Sequence, residues 1–271
     1  MKKTMWLAVG MVACLSLIAG SASAISLGTN ITIYDEWSTA PAGWYGPQED
    51  QEVEPHTFTG QQWDLEGVFF DNVTSDLSLV GGYDFVNGIP GRHTAAGDLF
   101  IDFTYPSDAQ YGTLSHAPSN YGPYDLVPDT FGYDYVVDLD FATLTYTIYD
   151  IQGATDLQIE CDSEQANDAS NPWRYIRGGT EIANGTGLSI VYTTGLSDSD
   201  VGMTGGLHNV AAIDLSALGP LYPGNGFTTH FTMECGNDNL IGHYPGVPEP
   251  ATISLLGLGL LGAVLRKKFW A

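Results

Sequence analysis

Five aspartates stand where alternating strands would gather their carboxylates. In residues 131–141, Asp134, Asp138 and Asp140 fall on one face, and Tyr133, Tyr135, Val137, Leu139 and Phe141 fall on the other. In residues 97–104, Asp98 and Asp102 alternate with Leu99, Ile101 and Phe103 in the same way. If the two strands were neighbours, their oxygens would suit a hard cation such as Ca2+. Two readings stay open: a structural Ca2+ on Asp98, Asp102, Asp134, Asp138 and Asp140, or a solvated acidic face. Asp198-Ser199-Asp200 and Asn237-Asp238-Asn239 are loop candidates for the same chemistry. None of these segments matches the EF-hand loop or the repeated glycine-aspartate nonapeptide.

Catalytic patterns are absent from the sequence. His56, His93, His116, His208, His230 and His243 are scattered, without H-E-x-x-H or another metal spacing. There is no G-x-S-x-G elbow and no phosphate loop. Carboxylates are so numerous that a pair at glycosidase separation would arise by chance. No catalysis is expected. Trp37, Trp44 and Tyr45 lie in a Gly- and Pro-rich N-terminal stretch, and Trp63 and Trp173 sit near turns. Their rings would either stack on sugar faces or anchor core and loops. Cys161 and Cys235 each end a strand-like run. In an oxidising compartment the pair is expected to form a disulfide, the alternative being two buried thiols.

The elements that must hold these side chains are strands. Period-two patterning rich in Tyr, Thr, Val and Ile recurs in residues 29–34, 65–72, 78–84, 97–104, 131–141, 187–194, 209–215 and 227–235. A second alternating run, with Leu144, Tyr146 and Ile148 on one face, follows the first acidic strand, and a hairpin turn is expected near Phe141-Ala142-Thr143. Gly81-Gly82, Asn87-Gly88, Asn184-Gly185 and Gly205-Gly206 supply further turns. No apolar stripe of helical period runs ten residues outside the two ends. The fold class is therefore all-β, an antiparallel β-sandwich or jelly-roll-like domain over residues 25–246. Residues 107–128, rich in Gly, Pro, Ser and Tyr, read as a long surface loop.

Within residues 25–246 there are three arginines, no lysine and 31 carboxylates, a net charge of −28. Such a surface repels nucleic acid and anionic lipid, so no nucleic-acid partner is expected, and it attracts divalent cations.

Both ends carry export signals. Lys2 and Lys3 precede an apolar stretch over residues 5–18 and an A-x-A site, Ala22-Ser23-Ala24. Residues 1–24 read as a signal peptide cleaved after Ala24. At the other end, Pro248-Glu249-Pro250 precedes an apolar run over residues 251–265 and then Arg266-Lys267-Lys268. The run is about 15 residues, roughly 22 Å as a helix, short against a hydrocarbon core of about 30 Å. This arrangement closely resembles the PEP-CTERM sorting signal of Gram-negative bacterial exoproteins. The resemblance implies that residues 247–271 are a motif, a single apolar transmembrane helix and a basic tail. It implies transient anchoring in the inner membrane, processing by an exosortase near Pro248-Glu249-Pro250, and delivery to the cell surface or extracellular matrix. Residues 230–240 are similar to a segment that often precedes such tails, with no activity attached to it. The expected role is a structural or adhesive component of the envelope or of an exopolysaccharide matrix, as in a biofilm. The alternative is a secreted, lectin-like carbohydrate-binding module.

Overall fold

The computed structural model describes residues 25–33, 49–53, 57–92, 94–104, 124–161, 171–221 and 226–246. The expected signal peptide with Ala24, the rings of Trp37, Trp44 and Tyr45, and the sorting residues Pro248, Glu249, Pro250, Arg266, Lys267 and Lys268 lie outside the described residues.

Fifteen strands are described. They are β1 (Thr29–Asn30), β2 (Leu65–Asp71), β3 (Asp76–Gly81), β4 (Leu99–Asp102), β5 (Leu126–Val127), β6 (Tyr135–Asp140), β7 (Thr145–Asp150) and β8 (Gln158–Glu160). After them come β9 (Arg174–Arg177), β10 (Thr180–Glu181), β11 (Leu188–Ser189), β12 (Val191–Leu196), β13 (His208–Asp214), β14 (Phe227–Thr232) and β15 (Asn239–Tyr244). One short helix, α1 (Asp198–Val201), lies between β12 and β13. Every pairing among the strands is antiparallel. The five-stranded sheet has the order β1-β2-β3-β13-β12. The seven-stranded sheet runs β10-β7-β6-β4-β14-β15, with β11 also on β7, and a small third sheet runs β5-β8-β9.

Alternation decides which residue enters which layer. Val68 and Phe70 of β2, Leu77 and Leu79 of β3 and Ala211 and Ile213 of β13 share one core with Leu99, Ile101, Tyr135, Val137, Tyr146, Ile148 and Phe231 of the seven-stranded sheet. That shared cluster makes the two large sheets a sandwich. The intervening residues Phe100 and Val136 point the other way, onto Val127, Ile159 and Tyr175 of the small sheet. On the outside of the five-stranded sheet, Phe69, Val80 and Val210 pack under Leu27, Val201 and Met203. Strand β2 is thus buried on both faces, which explains the apolar run Val68-Phe69-Phe70 within it. Each side chain so buried contributes about 1.5–3 kcal/mol.

The sheets are joined at one corner by residues 31–33. Ile31 donates its amide to Val68 O at 2.9 Å and accepts from His243 N at 2.7 Å, while Ile33 N donates to Ile241 O at 2.9 Å. Gly242 fits the close approach there, since a Cβ would lie 2.7 Å from Thr229 Oγ1 and 3.2 Å from Val68 Cβ and would force these neighbours to shift. The run at 187–194 divides: β11 pairs with β7 and β12 pairs with β13, so the chain changes sheets at Ile190. The expected loop at 107–128 contains β5, which pairs with β8. The hairpin expected near Phe141 is present as β6 and β7, and Asp140 Oδ1 accepts the amides of Ala142 and Thr143 at 2.9 and 3.1 Å across its turn.

The expected disulfide is not formed. Cys161 packs in the cluster under the small sheet and Cys235 in the sandwich core, so the two sulfurs belong to different apolar layers and no bond joins them.

Candidate functional site

The described residues gather their most concentrated charge at one end of the five-stranded sheet, where β2 begins, β3 ends and β13 begins. Leu65 pairs with Gly81 and Gly67 with Val80, which leaves Glu66 as an extra residue in β2. Such a bulge re-aims a side chain and is common beside functional sites. Here the side chain is a carboxylate buried to 1% exposure. Asp64, just before β2, is fully buried, and Asp50 is half-buried. One oxygen from each of Asp50, Asp64 and Glu66 lies within 4.8 Å of the other two, and this is the one group of three such ligands among the described residues.

Each carboxylate is held in place. Asp50 accepts Thr204 N at 3.1 Å and Thr204 Oγ1 at 3.2 Å. Asp64 Oδ2 accepts the Gln51 amide at 3.2 Å. Gln51 Nε2 donates to Thr204 O at 2.6 Å and to Gln61 Oε1 at 2.9 Å. Glu66 Oε1 accepts Gln61 Nε2 at 2.5 Å, and Glu66 Oε2 meets His208 Nδ1 at 2.6 Å. His208 Nε2 lies 3.0 Å from Asp198 Oδ1, which also accepts Gly206 N at 2.9 Å. The loop between α1 and β13 closes over these groups because residue 205 is glycine. Its φ is +125° at neighbouring Gly206 and +123° at Gly205, and a Cβ on Gly205 would overlap Gln61 Oε1.

The electrostatics are those of a dry anionic pocket. Burial, then Glu66, raises the Asp64 carboxyl well above its usual range. Burial pushes Glu66 up to about 7 against the opposing hydrogen bond from His208. Burial disfavours the His208 imidazolium, yet Asp198 and Glu66 outweigh it and raise its pKa. Buried Asp238 is raised by burial and by Glu52 and Asp64, although it accepts the amides of Leu65 at 2.5 Å and Asn239 at 2.8 Å. Glu49 and Glu52 are buried in the same segment as Asp50. Arginines are elsewhere: Arg92 lies over the rings of Phe58 and Trp63, and Arg174 pairs with Glu160 at 2.6 Å.

The five aspartates singled out from the sequence are placed differently. Asp98 is buried, but Oδ1 accepts Leu139 N and Oδ2 accepts Tyr175 N, both at 2.7 Å. Burial, then Asp138, raises its carboxyl. Asp102 Oδ1 accepts Thr104 N at 2.7 Å and Asp134 Oδ2 accepts Phe103 N at 2.8 Å. Asp138 lies near Asp98, Asp140 and Arg174, and its carboxyl is raised by burial and Asp140. No three of these five offer oxygens within 4.8 Å of one another. The two loop candidates do reach the buried acidic pocket, through Asp198 on His208 and Asp238 beside Asp64. Asp200 instead accepts Ser197 N at 2.8 Å at the start of α1. Trp63 and Trp173 are buried, so neither offers an open ring face. The missed residues had a signal: Glu49-Asp50-Gln51-Glu52 is dense in charge, and Glu66 interrupts an otherwise apolar strand.

Comparison with known proteins bears on one end of the chain. A family model described as a PEP-CTERM protein-sorting motif matches residues 246–268. No curated protein and no solved structure is significantly similar to the chain. The chain carries a PEP-CTERM sorting motif, the signal of an exported protein that an exosortase processes on its way through the membrane to the cell surface.

Proposed function

We propose that residues 25–246 form a structural or adhesive component of the cell envelope or of an exopolysaccharide matrix, and that they act without catalysis. The observation that carries this reading is the sorting motif at residues 246–268, attached to an all-β body. Stacked antiparallel layers resist local opening, which suits a protein that serves as material outside the cell. The excess of carboxylates over arginines favours solubility during transit and cation-dependent association afterwards. Cell fractionation tests it. The protein is expected in the washed envelope or matrix fraction, and replacement of Pro248-Glu249-Pro250 by alanines is expected to hold it in the inner membrane. Quantitative recovery of the wild type in spent medium would overturn the assignment.

A second reading, a secreted carbohydrate-binding module, is favoured by a different feature. A cavity of about 870 Å³ is lined by Arg92, Asp138, Asp140, Arg174, Tyr175 and Glu234 among others. Arginine and carboxylate side chains together suit the hydroxyls of a saccharide. A glycan array probed with the exported protein tests this reading: specific binding that Arg174→Gln abolishes supports it, and an array without signal rejects it.

A further inference from the structure

We propose that Asp50, Asp64 and Glu66 bind one divalent cation, Ca2+, which fastens residues 49–53 and the loop between α1 and β13 to the end of the five-stranded sheet. The site goes beyond the surface role and stands on its own geometry.

Convergence of three carboxylates would not suffice, since acidic groups often cluster in solvent. The second observation is Asp64 Oδ1, a fully buried oxygen for which no hydrogen-bond donor is present among the described residues. Its partner oxygen, Oδ2, accepts the Gln51 amide, so the carboxylate is fixed with one oxygen left over. An orphaned buried carboxylate oxygen costs several kcal/mol unless a cation or a proton meets it. One carboxylate oxygen each of Glu66 and Asp50 lies within 4.8 Å of an Asp64 oxygen and of each other, and the buried carboxylates of Asp238 and Glu52 add negative potential around them. The described ion pairs place no Lys or Arg on these three groups.

The donor chemistry selects the ion. All three ligands are oxygen, the preference of a hard cation. The imidazole of His208 is not offered, because Nδ1 meets Glu66 and Nε2 meets Asp198. It serves as the outer partner that orients a ligating carboxylate. Mg2+ demands a near-octahedral shell, whereas Ca2+ accepts irregular protein oxygens completed by water. Half-buried Asp50 leaves such an approach for water. A Kd of about 0.1–1 mM would match extracellular Ca2+ modules.

The test uses the native exported protein, stripped with a chelator and dialysed. Calorimetric titration with CaCl2 is expected to give one site. Thermal unfolding is expected to shift upward in CaCl2, well beyond MgCl2 or NaCl of equal ionic strength. Asp64→Asn removes a buried charge at constant shape, so its cation-free melting temperature is expected to equal or exceed that of the wild type while its Ca2+ response is lost. Asp50→Asn, at a half-exposed position, provides the same loss should Asp64→Asn fold poorly. His208→Gln, which touches no ion, is expected to weaken binding about 10- to 100-fold. Asp138→Asn is expected to leave binding unchanged. Equal effects of CaCl2 and NaCl on the wild type overturn the proposal, as does a full Ca2+ response in both Asp50→Asn and Asp64→Asn.

Discussion

His208 illustrates how much one side chain organises. It is fully buried and joins two carboxylates from different elements, Glu66 in the bulge of β2 and Asp198 at the start of α1. His208→Ala would strand Glu66 Oε2 in a dry site, a cost of about 1–3 kcal/mol. Urea unfolding in a chelator is expected to register that loss, with His208→Gln recovering part of it because its amide retains a donor. An alanine variant as stable as the wild type would mean that the imidazole is dispensable. None of this was legible in the sequence, where His208 is one of six scattered histidines. The contact spans 142 residues from Glu66, and no periodicity reports a pairing at that separation. Asp98 was legible as an important acid but not in its role. Alternation set it opposite Leu99 and Ile101, and only the fold reveals that it is buried and that backbone amides consume both of its oxygens.

Between elements, Asp98 is a pin. It reaches from the residue preceding β4 to β6 through Leu139 N and to β9 through Tyr175 N, and so holds the small sheet against the large one. Asp98→Ala would leave two amides without acceptors, for a loss of about 2–5 kcal/mol. Denaturant unfolding measures that loss, and amide exchange at Tyr175 is expected to accelerate in the variant. Unchanged exchange would show that the sheet is held by Phe100, Val136 and their apolar partners instead. A strand with one dry and one wetter face, such as β7, was readable from period two. Strand β2 was readable as a strand from its apolar run, but its bulge was not, because an inserted Glu66 looks like ordinary alternation between Leu65 and Gly67. The short strands β5, β9 and β10 lie in Gly- and Pro-rich sequence whose composition reads as loop. The disulfide expectation failed at this scale too: each cysteine does lie at the end of a strand-like run, but in a different layer.

Over residues 25–246 as a whole, the charge of −28 and the buried acids set the response to pH. Glu66 is pushed up to about 7, and Asp64, Asp98, Asp138 and Asp238 are raised as well. Between the usual carboxylate range and these values the folded state binds more protons than the unfolded chain, so stability falls as pH rises. His208, also raised, contributes stability below its unfolded pKa and loses it as pH rises through the folded one, which adds to the same trend. Asp84, Asp140, Asp198 and Asp200 are lowered, so their contribution is present above about pH 4 and disappears only in stronger acid. Protein stripped of cations is therefore expected to be more stable at pH 5 than at pH 8, with urea midpoints as the readout. A midpoint that rises across that interval would contradict the raised values.

Sorting governs where this folded body acts, and the most direct measurement is the intact mass of the protein recovered from the envelope. The account predicts loss of residues 1–24 and of the apolar tail that follows Pro248-Glu249-Pro250. Recovery of the full-length chain, with Arg266, Lys267 and Lys268 still attached and embedded in the inner membrane, would contradict it.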